Sequence, residues 1–353
     1  MSSLSGSPLP VYLLTGFLGS GKTTLLARLV RQPEFADTAV IVNEFGAVAL
    51  DHVLLEKSGD DDVVVLDSGC LCCASNSPLQ DSLEGLFFRR LRGEVPAFAR
   101  VVVETSGLAD PLPLINALQA DPSVARHYRF AGVVTTVDAV NGRDSLERYR
   151  ECMLQVAVAD RVVLTKTDLV LPAGARAIEE LVRRTNPQAD VLVAPPPSSG
   201  HAPDVLRGLV RHAYEATTDS TPIAATGATA PAGRFGHLLR YGIASHVVRV
   251  DRPVGWAEYA DWVRTLQRTL GERLLRAKGI LSFEDGQDYA VHGVRHLFAP
   301  PQPMAGVIPR AQRGCLVLIT SNVDAEEIAL ATAALLPKSH PGPSFPPSND
   351  LTR

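Results

Sequence analysis

Gly16-Phe17-Leu18-Gly19-Ser20-Gly21-Lys22-Thr23 decides the fold, because of what stands on either side of it. The apolar run Val11-Tyr12-Leu13-Leu14 precedes it and Leu25-Leu26-Ala27-Arg28-Leu29-Val30 follows, so the order is strand, glycine loop, helix start. The spacing fits G-x-x-x-x-G-K-[ST], in which small residues let backbone N–H groups wrap phosphate oxygens at a helix N-terminus. Gly16, Gly19, Ser20 and Gly21 then form the cradle, Lys22 reaches the β- and γ-phosphates, and the Thr23 hydroxyl binds Mg²⁺. An ordinary glycine turn would account for the glycines but not for the Lys-Thr pair at this offset.

Beyond the loop, apolar runs recur at Ala39-Val40-Ile41-Val42, Val63-Val64-Val65-Leu66, Val101-Val102-Val103, Gly132-Val133-Val134, Val162-Val163-Leu164 and Val191-Leu192-Val193. They are β-branched and nearly continuous rather than alternating, which is the pattern of parallel strands buried on both faces. Helix-compatible segments such as Leu79 to Arg92 and Ala175 to Arg184 separate several of them. The expected fold class is α/β: a P-loop, doubly wound, mostly parallel sheet over residues 8–194.

Residues 195–240 shift to Pro, Ser, Ala, Thr and Gly and read as a linker region, with room for one helix from Asp204 to Tyr214. Residues 241–337 carry a strand at His246 to Val250, a helix from Trp256 to about Leu275, strands near Ile280-Leu281 and Tyr289 to Phe298, another at Cys315 to Thr320, and a helix from Asp324 to Leu336. That order suits a smaller C-terminal α+β domain with helices on one face of an antiparallel sheet. Residues 338–353 are rich in Pro and Ser and are expected to be disordered.

Composition sets limits. The 353 residues carry a net charge of −4, so there is no general excess of Lys and Arg for a nucleic-acid backbone, and none is expected as a partner. No apolar run is long enough to span a bilayer, and Met1 to Pro8 lacks a charged n-region with an apolar core, so no membrane association and a cytoplasmic location are the expectation. Five cysteines do not make a disulfide framework in a chain of this length; Cys70, Cys72 and Cys73 are bunched, while Cys152 and Cys315 are isolated and read as packed residues.

In an open parallel sheet, ligands bind outside the C-terminal strand ends. The second strand finishes in Asn43-Glu44-Phe45-Gly46, the fourth in Glu104-Thr105-Ser106-Gly107 and the sixth in Thr165-Lys166-Thr167-Asp168. Glu104 is placed to hold Mg²⁺ through a water while the Gly107 N–H senses the γ-phosphate, or else Glu104 caps the next helix facing solvent. Thr165-Lys166-Thr167-Asp168 is similar to the guanine-recognition element N-K-x-D, in which the Asp carboxylate accepts from guanine N1–H and its exocyclic amine. Asp168 therefore favours GTP over ATP, with Thr165 in the Asn position.

Gly69-Cys70-Leu71-Cys72-Cys73 follows Asp67 at the end of the third strand. Three thiols in four residues can approach one soft or borderline cation such as Zn²⁺, which prefers four tetrahedral ligands; Glu44, His52 and Asp67 are candidate additions, and a redox-active or merely packed cluster is the alternative. His292 and His296, on one strand, would stand about 13 Å apart, too far to share a metal.

The whole constellation, Gly16 to Thr24, Val42 to Gly46, Gly69 to Cys73, Glu104 to Gly107 and Thr165 to Asp168, resembles the CobW-like family of metal-handling GTPases, relatives of HypB and UreG. Leu275-Arg276-Ala277-Lys278-Gly279 and His292-Gly293-Val294-Arg295-His296-Leu297-Phe298 resemble its C-terminal domain. The resemblance implies GTP hydrolysis coupled to delivery of a transition metal, Zn²⁺ or Co²⁺, to a client metalloprotein. By position it implies that Lys22, Thr23 and Thr24 bind nucleotide and Mg²⁺, that Glu44 lies in a first switch and Glu104 with Gly107 in a second, that Cys70, Cys72 and Cys73 form the transferable metal site, and that Lys166 and Asp168 read guanine. Lys22, Glu44 and Glu104 are the implied catalytic set. This sequence departs from the family pattern at Ala47, where an acid is frequent, at Thr165, and at Ala74 to Pro78, where the next helix more often starts Thr-Val-Arg. A nucleotide-gated activator of one particular metalloenzyme and a P-loop small-molecule kinase are the rival functions, and self-association into a homo-oligomer is left open.

Overall fold

The computed structural model describes residues 8–43, 64–67, 78–199, 205–206, 241–304, 308 and 312–335. Its first unit is a seven-stranded sheet in which every pairing is parallel: β1 (Leu9–Gly16), β2 (Thr38–Asn43), β3 (Val64–Asp67), β4 (Arg100–Thr105), β5 (Tyr128–Asp138), β6 (Arg161–Thr165) and β7 (Asp190–Val193), in the order β3-β2-β4-β1-β5-β6-β7. The chain winds outward from β1 to one edge and then to the other, so β1 lies at the topological switch point and its C-terminal end opens into the crevice.

The unbroken apolar runs have a simple cause. Val11 and Leu13 enter one core while Tyr12 and Leu14 enter another on the opposite face; Ala39 and Ile41 divide from Val40 and Val42 in the same way, as do Val162 and Leu164 from Val163. Helices cover both faces, so neither set of alternate positions can be polar. These helices are α1 (Lys22–Leu29), α2 (Pro78–Leu91), α3 (Pro111–Ala120), α4 (Pro122–His127), α5 (Gly142–Arg148), α6 (Arg150–Ala157) and α7 (Pro172–Thr185). Proline opens α3, α4 and α7, where its missing N–H costs no helical bond, and Asp110 and Asp121 cap α3 and α4 by accepting from the N–H groups of Leu112 and Ser123. Beyond β7, Arg28 Nη1 of α1 donates to Pro195 O at 3.0 Å, and Val205 and Leu206 are buried against the same helical layer.

A second, six-stranded sheet is antiparallel: β8 (Ile243–Arg249), β9 (Leu274–Ser282), β10 (Asp288–Val294), β11 (Leu297–Phe298), β12 (Gln302–Pro303) and β13 (Cys315–Ser321), ordered β11-β10-β9-β13-β8 with β12 also on β10. Helices α8 (Trp256–Thr269) and α9 (Ala325–Thr332) cover one face, where Trp262 is fully buried among Leu266, Leu274, Leu281 and Leu318. The opposite face, through Ile243, Leu275, Val294, Val317 and Ile319, belongs to the same apolar core as one face of the first sheet.

Two sequence expectations are corrected here. The helix from Trp256 ends at Thr269, not near Leu275, because Gly271 takes φ +54 and turns the chain into the nine-residue β9. Tyr289 to Phe298 is not one strand: Arg295 adopts φ +51 and folds Leu297–Phe298 back onto Gly293 and Val294 as a hairpin. His292 stays on β10 and His296 lies in the turn, so the two do not share a strand face. The expected helix from Asp204 to Tyr214 lies outside the described residues except at Val205 and Leu206.

The seam between the units is pinned by charge. Arg276 on β9, 2 % exposed, donates to the Asp160 carboxylate and to Val158 O, and Asp160 Oδ2 also accepts from Val133 N–H at 3.0 Å. Lys278 Nζ stands 3.7 Å from Asp160. Burial pushes the Asp160 carboxyl up, but Arg276, Lys278 and the Val133 N–H outweigh it and hold it well below the usual carboxylate range. Burial, with Arg276 beside it, lowers His292 to about 3, so its ring stays neutral. Arg276→Met should leave Asp160 buried without its main partner and cost about 3–5 kcal/mol in chemical denaturation. The Asp160 contribution should be complete above about pH 4, the ordinary value of an unfolded Asp, and be lost as pH falls through its lower native value, a loss that Arg276→Met should blunt.

Candidate functional site

The loop after β1 is built by backbone that side chains would forbid. Gly16 takes φ +145, and a Cβ there would come 2.3 Å from Thr136 Oγ1 and 2.6 Å from Thr136 O; Gly19 and Gly21 take φ +70 and +92. The left-handed Gly21 is the N-cap of α1, so the free N–H groups at the start of that helix face the loop. Ser20 Oγ shares a 2.7 Å hydrogen bond with Thr136 Oγ1, which fixes the loop to β5. Lys22 is buried, and its Nζ donates to Gly16 O at 3.0 Å and Phe17 O at 3.3 Å, folded over its own loop.

At the end of β4, Glu104 is 1 % exposed and its Oε1 accepts from Thr23 Oγ1 at 2.6 Å. The carboxylate therefore faces the glycine loop, not solvent. Register aligns Asp67, Val42, Glu104, Leu14 and Val134 in one row across five strands, with Asn43 opposite Thr105 one step further. The chain therefore enters the Glu44 stretch and the Cys70 to Cys73 stretch from the C-terminal ends of two neighbouring strands, on the same side of the sheet as Thr23 and Glu104. Glu44, His52, Cys70, Cys72 and Cys73 themselves, with Ala47, lie outside the described residues, as does the Asp67 side chain.

Gly107 packs directly against the loop: a Cβ there would lie 2.7 Å from Leu18 Cδ2, 2.8 Å from Leu18 N and 2.9 Å from Leu18 Cα. Only a glycine lets the peptide after Glu104 come this close to the phosphate loop. A third strand end arrives from β6. Thr165 Oγ1 donates to Ser20 O at 2.7 Å, so the residue standing where an Asn was expected ties this segment to the glycine loop. Lys166, at φ +56, donates to Gly19 O at 2.8 Å and to Asp138 Oδ2 at 2.6 Å, while Asp168 is exposed on the short turn Thr167–Leu169. Thr24 is exposed on the first turn of α1.

Asp138, at the end of β5, was not singled out by its sequence. It also accepts from Val140 N–H at 2.6 Å and from the Asn141 N–H and side-chain amide, and these bonds with Lys166 outweigh burial and hold its carboxyl below the usual range. The signal was present, since Asp138 closes an apolar run as Glu104 does. Burial raises the Cys152 thiol to about 12, as a packed cysteine requires, and among the described residues no cluster of three or more His, Cys, Asp or Glu could hold a metal.

A parallel sheet with a glycine loop at its switch point, a buried Lys, a Thr–Glu pair beside it and an exposed Asp on a neighbouring loop defines a P-loop nucleoside-triphosphate-binding protein. Residues 10–193 match the family model described as CobW/HypB/UreG, nucleotide-binding domain, and residues 243–336 match that of the cobalamin synthesis protein cobW C-terminal domain. The chain belongs to the CobW/HypB/UreG family. It is 32 % identical to the zinc chaperone YjiA of Escherichia coli over 93 % of this chain and 99 % of that one, and 27 % identical to the zinc-regulated GTPase metalloprotein activator 1 of Schizosaccharomyces pombe over 82 % and 76 %. The crystal structure of Zn(II)-bound YjiA GTPase from E. coli is similar at a TM-score of 0.69 and 29 % identity, covering 94 % of this chain and all of that one.

Two substitutions test the geometry. Gly107→Ala should push the Gly107 and Leu18 backbones apart, costing about 1–3 kcal/mol, seen as a lower melting temperature and weaker nucleotide binding by calorimetry. Thr165→Val keeps the shape but leaves Ser20 O without its donor, and should cost about 1 kcal/mol.

Proposed function

We propose that this chain is a GTP-hydrolysing metallochaperone that binds zinc at Cys70, Cys72 and Cys73 and hands it to a client metalloprotein. The observation that carries the reading is the Thr23 to Glu104 hydrogen bond beside the buried Lys22, at the strand ends from which the Glu44 and cysteine stretches depart.

The described residues fit a magnesium nucleotide. The positive-φ glycines leave room for phosphate against backbone, Lys22 needs only to exchange two carbonyls of its own loop for phosphate oxygens, and a hydroxyl and a carboxylate already converge. Thr23 and Glu104 would hold Mg²⁺, which neutralises charge on the β- and γ-oxygens. Gly19, Ser20, Gly21 and Thr24 present the cradle and helix start. Lys166 braces the guanine-reading loop against Gly19, and Asp168 projects its carboxylate for guanine N1–H and the exocyclic amine.

Coupling follows from adjacency. The Gly107 peptide touches Leu18, so a γ-phosphate that draws Gly107 N–H toward it shifts the whole segment after Glu104. Glu44 leaves from β2, which pairs with β4, and the three cysteines leave from β3, the strand beyond β2, so that shift meets the Glu44 stretch first and the cysteine stretch next. Thiolate is the right ligand for zinc, and the cargo's affinity then depends on which nucleotide is bound; linkage requires the reverse effect as well. The name of the S. pombe relative, a metalloprotein activator, favours a reading in which the client is a metalloprotein that the delivered metal activates.

Cys72→Ser should weaken Zn²⁺ binding by more than about tenfold, the scale of even an outer-shell loss, in competition with a chromophoric chelator, with GDP affinity unchanged. Equal loss of both would make the cysteines structural. Identical Zn²⁺ affinity with GDP and with a non-hydrolysable GTP analogue would refute the coupling. Asp168→Asn should move preference from GTP toward XTP by at least about tenfold, because an amide N–H meets the xanthine oxygen where a carboxylate cannot.

A further inference from the structure

Helix α6 buries Cys152, Met153, Leu154, Val156 and Ala157, and in the middle of this apolar run stands Gln155, 1 % exposed. A buried amide is tolerated only where its hydrogen bonds are made. Gln155 Nε2 donates to Gly107 O at 3.2 Å and to Ala109 O at 3.1 Å, spending both protons on the segment that follows Glu104. Two carbonyl acceptors admit only this orientation of the amide. The Gln155 backbone carbonyl, not its side chain, accepts from Thr135 Oγ1 at 2.8 Å, so the residue is also held to β5.

Just past the C-terminal end of that helix, the second unit takes hold. Arg276 donates to Val158 O and to Asp160, while Asn186 Nδ2 donates to Val156 O, Ala157 O and Ala159 O at 3.0, 3.1 and 2.8 Å. Residues 155–160 thus form one rigid piece with the Gly107 peptide bonded at one end and β9 at the other. A second, weaker link runs in parallel: Asp110, which caps α3 just after Gly107, stands 3.8 Å from Arg295 in the β10 to β11 turn.

We infer that Gln155 is a positioning residue that ties the Gly107 to Ala109 segment to the C-terminal sheet, so that a movement of Gly107 is passed through residues 155–160 to Arg276. The inference rests on the proposed response of Gly107 to the γ-phosphate and adds where that response goes. Gly107 cannot move toward the phosphate loop without lengthening its bond to Gln155 or dragging the helix with it, and either outcome changes the footing of β9. The side that meets the second unit is thereby informed of the nucleotide state without touching the nucleotide.

The test uses the full chain in complex with GDP or a non-hydrolysable GTP analogue. With glutamine ¹⁵N labelled, the Gln155 side-chain amide signals should shift between the two nucleotides, as should the Gly107 amide in a glycine-labelled sample. Hydrogen exchange of residues 158–160 and 274–280 should differ between the two states in the wild type, and Gln155→Met, which fills the same space without donors, should shrink that difference at least fivefold while Gly107 still responds. A responding Gly107 with an unmoved Gln155 amide overturns the role of Gln155 and leaves the γ-phosphate reading standing. An unmoved Gly107 overturns that reading, and this inference with it. Undiminished transmission in Gln155→Met also overturns the inference; should that variant not fold, the wild-type amide shifts decide alone.

Discussion

The arrangement depends on one close approach, that of Gly16 to Thr136. With Thr136 Oγ1 and O where a Cβ would have to stand, the end of β1 can carry no side chain, and the freed space lets the chain leave the sheet as an open loop of left-handed glycines. Every feature of the site presupposes that exit. It delivers Lys22 and Thr23 to the first turn of α1, sets Ser20 against Thr136, and exposes the loop carbonyls that Thr165 and Lys166 bond. The local cost of such backbone is offset by packing on both sides of β1, the most enclosed position in the first sheet.

A second dependence is electrostatic. Two sheets that share one apolar core could slide on one another, since apolar contact has no direction. The Arg276 to Asp160 pair has direction, and with both groups nearly dry it cannot be exchanged for water at low cost. Apolar burial thus supplies the adhesion between the units and the ion pair supplies the register. That division explains why a charged residue lies in β9 amid Leu275, Ala277 and Leu281.

Much of this was legible in the amino-acid order. The continuous valine-rich runs announced strands covered on both faces, and the polar residues closing them, Glu104 and Thr165 among them, marked the crevice. What stayed hidden was non-local or locally unmarked. Asp160 and Arg276 are 116 positions apart, and nothing near either one names the other. The left-handed turn at Arg295 uses a residue that seldom adopts it, so no Gly or Asn punctuated the hairpin, and the apolar residues from Leu270 to Leu275 masked the stop at Gly271. Gln155 has no periodic partner; its meaning comes only from the carbonyls that meet it. Thr165, a departure from the N-K-x-D pattern, carries a hydroxyl that ties its segment to the glycine loop, a role the pattern does not announce.

Trp256 and Trp262 are the only tryptophans of the chain, and both sit on α8, far along the chain from the glycine loop. One is sealed beneath the second sheet while the other, 45 % exposed, lies against Phe283 and Tyr289. Indole emission from this protein is therefore the private voice of its C-terminal unit. The nucleotide-binding half is dark at those wavelengths, so any change in tryptophan fluorescence on adding nucleotide is light that reports from across the seam.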